Sequence, residues 1–299
     1  MKKFILRRIF SGILTVLIVF TLNFVLVKAA PGDPIRSIMG KETDDAELRA
    51  ALEEKWGLNK PYHEQYLSYL KNALKGDLGT SIIYNRSVND MIGERVFATV
   101  LLGLVSLVLA FVIGTALGIF CARRDGSFID NTISTLSYAT DAMPSFWLGL
   151  MLMILFATKL GWLPSQGMYD VRANYTGMKH FLDILKHLVL PCLTLVLITT
   201  MRATGMSEKK IFNKYIFRNA ILPTITMLGI SVAFLITGVS LIEIVFSWPG
   251  MGRLTLTAIT QRDYPTLMGI YLVMNVCVVV VMIVVDILYA FLDPRIRYD

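Results

Sequence analysis

The chain predicts an all-α membrane protein with six transmembrane helices, and three observations carry that prediction. Of its 299 residues, 55% are hydrophobic and only 17% charged, which is too apolar for a soluble domain of ordinary composition. The apolar residues are gathered in blocks, most of them near the roughly twenty residues an α-helix needs to cross hydrocarbon. Basic residues crowd the block ends. Thirteen of the 29 Lys and Arg fall in four short segments, at the N-terminus, after the second and fourth blocks and at the C-terminus, as expected where loops face the cytoplasm. That placement accounts for the net charge of +7, so nucleic acid is dropped as a partner.

Taken in order, the start MKKFILRR leads into an apolar run from Ile9 to Ala30. The run exceeds the ~7–15 residues of a secretory signal core, so residues 1–30 are expected to be a cytoplasmic N-terminus and an uncleaved first span. Pro31-Gly32-Asp33-Pro34 then breaks the helix. Residues 31–96 hold eleven acids and no spanning run, which predicts a water-facing insert of small amphipathic helices. The second span covers about 98–122 and carries Gly114 and Gly118 in a small-xxx-small pattern, which permits close helix approach. Arg123 and Arg124 mark its cytoplasmic end. The third span is expected over about 135–157, kinked by Pro144 at its start.

An external loop, 158–187, follows; it holds His180 and His187, too few ligands for a metal. The fourth span is short. Residues 188–201 contain Pro191 and must borrow from Phe181 onwards to reach crossing length. The fifth runs over 224–246. A third external loop, SWPGMGRL to QRDYP, leads to the sixth span over 267–292 and a tail at 293–299. Alternation places both termini in the cytoplasm, with a core over 97–292. Cys121, Cys192 and Cys277 are isolated, with no CxxC pair, and read as core filler.

The organising stretch is the segment 202–223. Arg202, Lys209, Lys210, Lys214 and Arg218 are interleaved there with Met206, Ile211, Phe212, Tyr215, Ile216 and Ile221. Ser207 and Glu208 favour a helix start, and Pro223 ends the unit before the next apolar block. One face is apolar and one cationic, which suits a docking helix; juxtamembrane charge that only sets orientation would look the same.

Gly205 stands eighteen residues before Pro223, with Arg218-Asn219-Ala220-Ile221-Leu222 ahead of the proline. This pattern resembles the cytoplasmic coupling loop of binding-protein-dependent ABC importer permeases, in the dipeptide, oligopeptide and nickel branch. Trp56-Gly57-Leu58, Gly76 to Ser81, Ser247 to Leu254, Gln261 to Pro265 and Asp293-Pro294 are similar to stretches at matching places in that family, so the resemblance covers essentially the whole chain. It implies a type I importer permease fold in a bacterial cytoplasmic membrane, a second homologous permease chain, two cytoplasmic ATPases that use ATP and Mg, and an external binding protein. It also implies ATPase coupling through Ala203, Gly205, Glu208, Lys209, Phe212, Arg218, Asn219 and Pro223. In the family a further basic stretch precedes that glycine, whereas this chain passes directly from Thr200 to Met201-Arg202.

No HExxH, GxSxG or phosphate-cradling loop is present, so no cofactor, metal or catalytic residue is expected on the chain itself. Among acids in or near spans, Asp141, Glu243 and Asp286, the one retained is Glu243. Thr237, Ser240 and Glu243 recur every third residue, roughly along one helix face, and that face could line a polar path or bond neighbouring helices. The expected cargo is peptide, with nickel or a metal chelate as the alternative. A self-contained carrier or channel is the rival class, and it should show midplane charges or an inverted repeat.

Overall fold

The structure, a computed structural model, describes residues 2–30, 32–39, 45–203 and 239–292. These residues are mostly helical: α1 (Lys2–Ala29), α2 (Pro34–Met39), α3 (Ala46–Lys55), α4 (Tyr62–Leu74), α5 (Val88–Ala122), α6 (Phe128–Ala142), α7 (Ser145–Leu152) continued by a π-helical segment (Met153–Lys159), α8 (Gly177–Ala203), α9 (Met251–Gln261) and α10 (Tyr264–Leu292). Residues 239–245 are also helical. Extended pairing among the described residues is limited to one isolated bridge, Thr80 with Ser87.

Residues 224–238 of the expected fifth span lie outside the described residues. Among the described residues, four helical stretches are long and apolar enough to cross a membrane: Phe4–Ala29, Val88–Ala122, Gly177–Ile198 and Tyr264–Ile287. Their outer faces show large apolar side chains, such as Phe10 at 69% and Ile13 at 63% exposure, an arrangement that only lipid or partner helices would tolerate. The chain is a multi-pass, all-α membrane protein.

Three boundaries depart from the sequence reading. The expected third span is broken rather than kinked: the two halves, Phe128–Thr140 and Ser145–Lys159, bend by 108°. Proline disfavours the helical region for the residue before it, and Met143 accordingly takes an extended φ of −82° and ψ of 136° while Pro144 caps α7. The first half also begins earlier than read, because Ser127 caps α6 by accepting from the Asp130 amide, a standard helix start. Second, α5 begins at Val88. Its first three turns carry Asp90, Glu94 and Arg95, and that charge suggested an insert extending to residue 96; charge on an exposed face does not interrupt a helix, and Asp90 suits the N-terminal dipole. Third, α8 reaches back to Gly177, beyond Phe181, and runs through Pro191, so the fourth segment gains crossing length from residues that looked like loop.

The chain divides into two compact units. Of the described residues, one comprises 97–203, 239–253 and 281–292, the other 2–30, 32–39, 45–96 and 254–280. In the first, Ala98, Leu102, Leu188, Leu190, Cys192, Leu195, Val239, Ile242, Phe246 and Trp248 form the core. Gly149 lets α7 approach closely: a Cβ there would stand 3.2 Å from the Phe246 ring. At Gly118, in contrast, a Cβ would meet nothing within 4 Å, so no described helix uses that half of the small-xxx-small pattern.

In the second unit, α1 is covered by aromatic side chains of α4. Phe20 lies 5.6 Å from the Tyr66 ring and 5.7 Å from Tyr69, and Thr21 shares a 2.8 Å hydrogen bond with the Tyr66 hydroxyl. Lys28 donates to Gln65 Oε1 at 2.5 Å. Tight turns join the helices of this unit: Gly57, Gly76 and Gly79 have φ of 63°, 82° and 86°, and Asp77 accepts from the Gly79 amide.

Candidate functional site: two buried carboxylate knots

The stretch SWPGMGR forms a knot inside the first unit, built from the end of the helix at 239–245, the turn at 246–250 and the start of α9. The helix unwinds at Ser247, whose φ of 50° reverses the chain, and the Trp248 amide closes the turn on the Glu243 carbonyl at 2.8 Å. Trp248 is fully buried, and its indole N–H donates to the Ala98 carbonyl of α5 at 2.8 Å. A buried indole needs such a partner.

Glu243 is itself 0% exposed. Its Oε1 accepts from the Thr99 hydroxyl at 2.6 Å and its Oε2 from the Gly252 amide at 2.6 Å. Thr99 in turn accepts from the Met251 amide at 2.8 Å. The carboxylate and the threonine therefore satisfy two of the N–H groups that open α9 and would otherwise have no partner, and a negative group is favoured at that helix end. The two glycines are needed for space. A Cβ on Gly250 would overlap the Glu243 carboxylate, and one on Gly252 would overlap the backbone of Ser240. Residue for residue, the motif is explained by how closely α9 folds back on the preceding helix.

A second knot lies in the other unit. Asp263 is 0% exposed and accepts from the Ser81 hydroxyl at 2.5 Å, the Ile82 amide at 3.2 Å and the Thr266 hydroxyl at 2.7 Å. Ser81 and Thr266 are equally buried. Nearby, Gly269 of α10 sits against Val88, Leu78 and Ile92. Two stretches that stand far apart in sequence, Gly76 to Ser81 and Gln261 to Pro265, are thus joined through one carboxylate. Neither Asp263 nor Thr99 is singled out by sequence reasoning. The only signal was that Asp263 sits inside a family-like stretch, and nothing local says which donors it will meet.

Of the residues expected to couple to an ATPase, Ala203 ends α8, while Gly205, Glu208, Lys209, Phe212, Arg218, Asn219 and Pro223 lie outside the described residues. Thr237 does too, and so does the side chain of Asp141. Ser240 is half-buried one turn before Glu243. Among the described residues, no three His, Cys, Asp or Glu gather where they could hold a metal ion.

Comparison with known proteins gives the family. Residues 1–103 match the N-terminal segment of the family described as binding-protein-dependent transport system membrane components, and residues 114–201 and 196–298 match its inner membrane component. The chain belongs to that family. The two core matches overlap at 196–201. This membrane component is 37% identical to the oligopeptide transport system permease protein AppB of Bacillus subtilis, over all of both chains. It is 34% identical to the di/tripeptide transport system permease protein DppB of Pseudomonas aeruginosa and 35% identical to the glutathione transport system permease protein GsiC of Salmonella typhi, again over all of each chain.

Proposed function

We propose that this membrane component is one permease subunit of an ATP-driven peptide importer, supplying half of the translocation path beside a second homologous permease. The observation that carries this reading is the similarity, at 34–37% identity and over the full length of each chain, to permeases named for oligopeptides, di/tripeptides and glutathione. Peptide comes from an external binding protein, and two cytoplasmic ATPases use ATP and Mg to drive alternating access; the chain has no chemistry of its own. Six spans place both termini in the cytoplasm of a bacterial cell, residues 31–96 outside, and 202–223 against an ATPase.

In this reading Thr237, Ser240 and Glu243 border the path at its outer end. Glu243 keeps that end closed, because its two bonds to Thr99 and Gly252 must part before α9 can move away from the helix it caps.

The test is uptake into proteoliposomes. Labelled dipeptide should accumulate only when both permeases, both ATPases, the binding protein and ATP are present. Uptake by this chain alone under an ion gradient would show a secondary carrier instead, and ATP-driven accumulation of nickel without peptide would move the substrate to the metal branch.

A further inference from the structure

The loop between the π-helical segment and α8 and the first turns of α8 line an open-mouthed cavity of about 540 Å³, within the ~300–1,000 Å³ typical of small-ligand sites. Its frame is internally bonded. The Asp170 amide donates to Asp183 Oδ2 at 2.6 Å and the Arg172 amide to Asp170 Oδ1 at 2.9 Å. The buried His187 places Nδ1 3.3 Å from Asp183 Oδ1. Tyr169 packs edge-on against His180, with ring centroids 4.9 Å apart, and the Gly167 amide anchors the loop to the Phe246 carbonyl at 2.9 Å.

This frame uses the carboxylates that line the cavity and leaves its cations unused. Arg172 and Lys186 both line the space and are exposed, and neither makes an ion pair among the described residues. Tyr169 and Tyr175 stand in the same wall. The uncommitted groups are therefore a guanidinium and an ammonium beside two phenol rings, a set that binds a carboxylate with an apolar body next to it. A guanidinium takes a carboxylate through two parallel hydrogen bonds.

We infer that this cavity is a receiving site that holds a short peptide by its C-terminal carboxylate, on Arg172 and Lys186, with the adjoining side chain against Tyr169 and Tyr175. The inference rests on the proposed peptide-importer function and adds a contact between peptide and permease outside the spans.

Equilibrium dialysis of the full chain in lipid nanodiscs, with tritiated alanylphenylalanine and its C-terminal amide as probes, tests the idea. The free acid should bind at least about ten-fold tighter than the amide. The variant R172Q/K186Q should lose that preference, whereas K186R, which keeps the charge, should retain most of it. Equal binding of acid and amide, no binding of either, or an unchanged preference in R172Q/K186Q would overturn the inference. So would a variant that binds peptide normally but no longer recruits the binding protein, since the cations would then serve a protein surface. ATP-driven uptake by the complete assembly separates the two readings. An assembly that transports peptide while the cavity shows no carboxylate preference refutes the cavity alone, and one that takes up no peptide refutes the importer reading beneath it.

Discussion

Replacing Asp263 with alanine should loosen the insert from the start of α10, and the size of the effect follows from what is left unpaired. Three donors lose their acceptor: the Ser81 hydroxyl, the Ile82 amide and the Thr266 hydroxyl. The amide points in a fixed direction, so it bears the full cost of a buried unmade bond, ~1–3 kcal/mol. The hydroxyls can rotate, although Ser81 Oγ is also held as the acceptor of the Tyr84 amide at 2.9 Å. Counting the amide fully and the hydroxyls in part gives about 3 kcal/mol. The serine side alone is a smaller loss, because in Ser81→Ala the carboxylate keeps the Ile82 amide and Thr266 and only the part-buried Tyr84 amide loses its acceptor; about 1–2 kcal/mol is expected. In detergent, Asp263→Ala should lower the apparent melting temperature by about 6 °C or more, and limited proteolysis should cut first around residues 76–86. Melting within about a degree of the parent, or a Ser81→Ala loss equal to that of Asp263→Ala, would show that the carboxylate is not what joins these segments.

Three further outcomes are expected. Trp248→Phe keeps an aromatic ring but loses the indole bond to the Ala98 carbonyl, which retains its acceptor role within α5, and leaves a small void, for about 1–2 kcal/mol of stability, while Gly252→Val cannot fit against Ser240 and should abolish ATP-driven uptake with membrane insertion intact. The insert should loosen in acid: partial burial pushes Asp33 up, but hydrogen bonds from Arg49 and from the Arg36 and Ile35 amides outweigh it and hold the carboxyl below its ordinary value. Its contribution is thus complete above the unfolded-state value near 4 and is lost as pH falls through the lower folded one, so Asp33→Asn should flatten the acid limb of a proteolysis profile over residues 45–60. In the segment 202–223, proposed to contact an ATPase, Gly205→Val or Phe212→Asp should uncouple or release the ATPases, read by co-purification and by peptide-stimulated ATP hydrolysis; variants that assemble and transport like the parent would reduce that segment to a charged tether.

The sequence by itself determined the class of the protein. Blocks of apolar residues must be helical in lipid, because no water is available there to satisfy the backbone, and hydropathy therefore reports the crossing segments almost directly. Family-like stretches such as Trp56-Gly57, Gly76 to Ser81 and Ser247 to Leu254 were legible for a related reason: each depends on glycine conformations or tight approaches that few other residues permit. Where a helix begins was less legible, since the charged turns of α5 and the polar start of α8 are helical through capping and neighbouring structure, not through apolar content.

Only the tertiary structure decided which donors reach the buried acids. Glu243 was visible as an acid in a span, but whether it faces a path or a partner depends on Thr99, over a hundred residues earlier, and on the turn that brings the Gly252 amide back to it. Asp263 drew no notice at all, because its donors come from Ser81 and Ile82. A carboxylate's role is set by which donors reach it, and the fold brings those donors from distant parts of the chain, so local pattern holds no record of them.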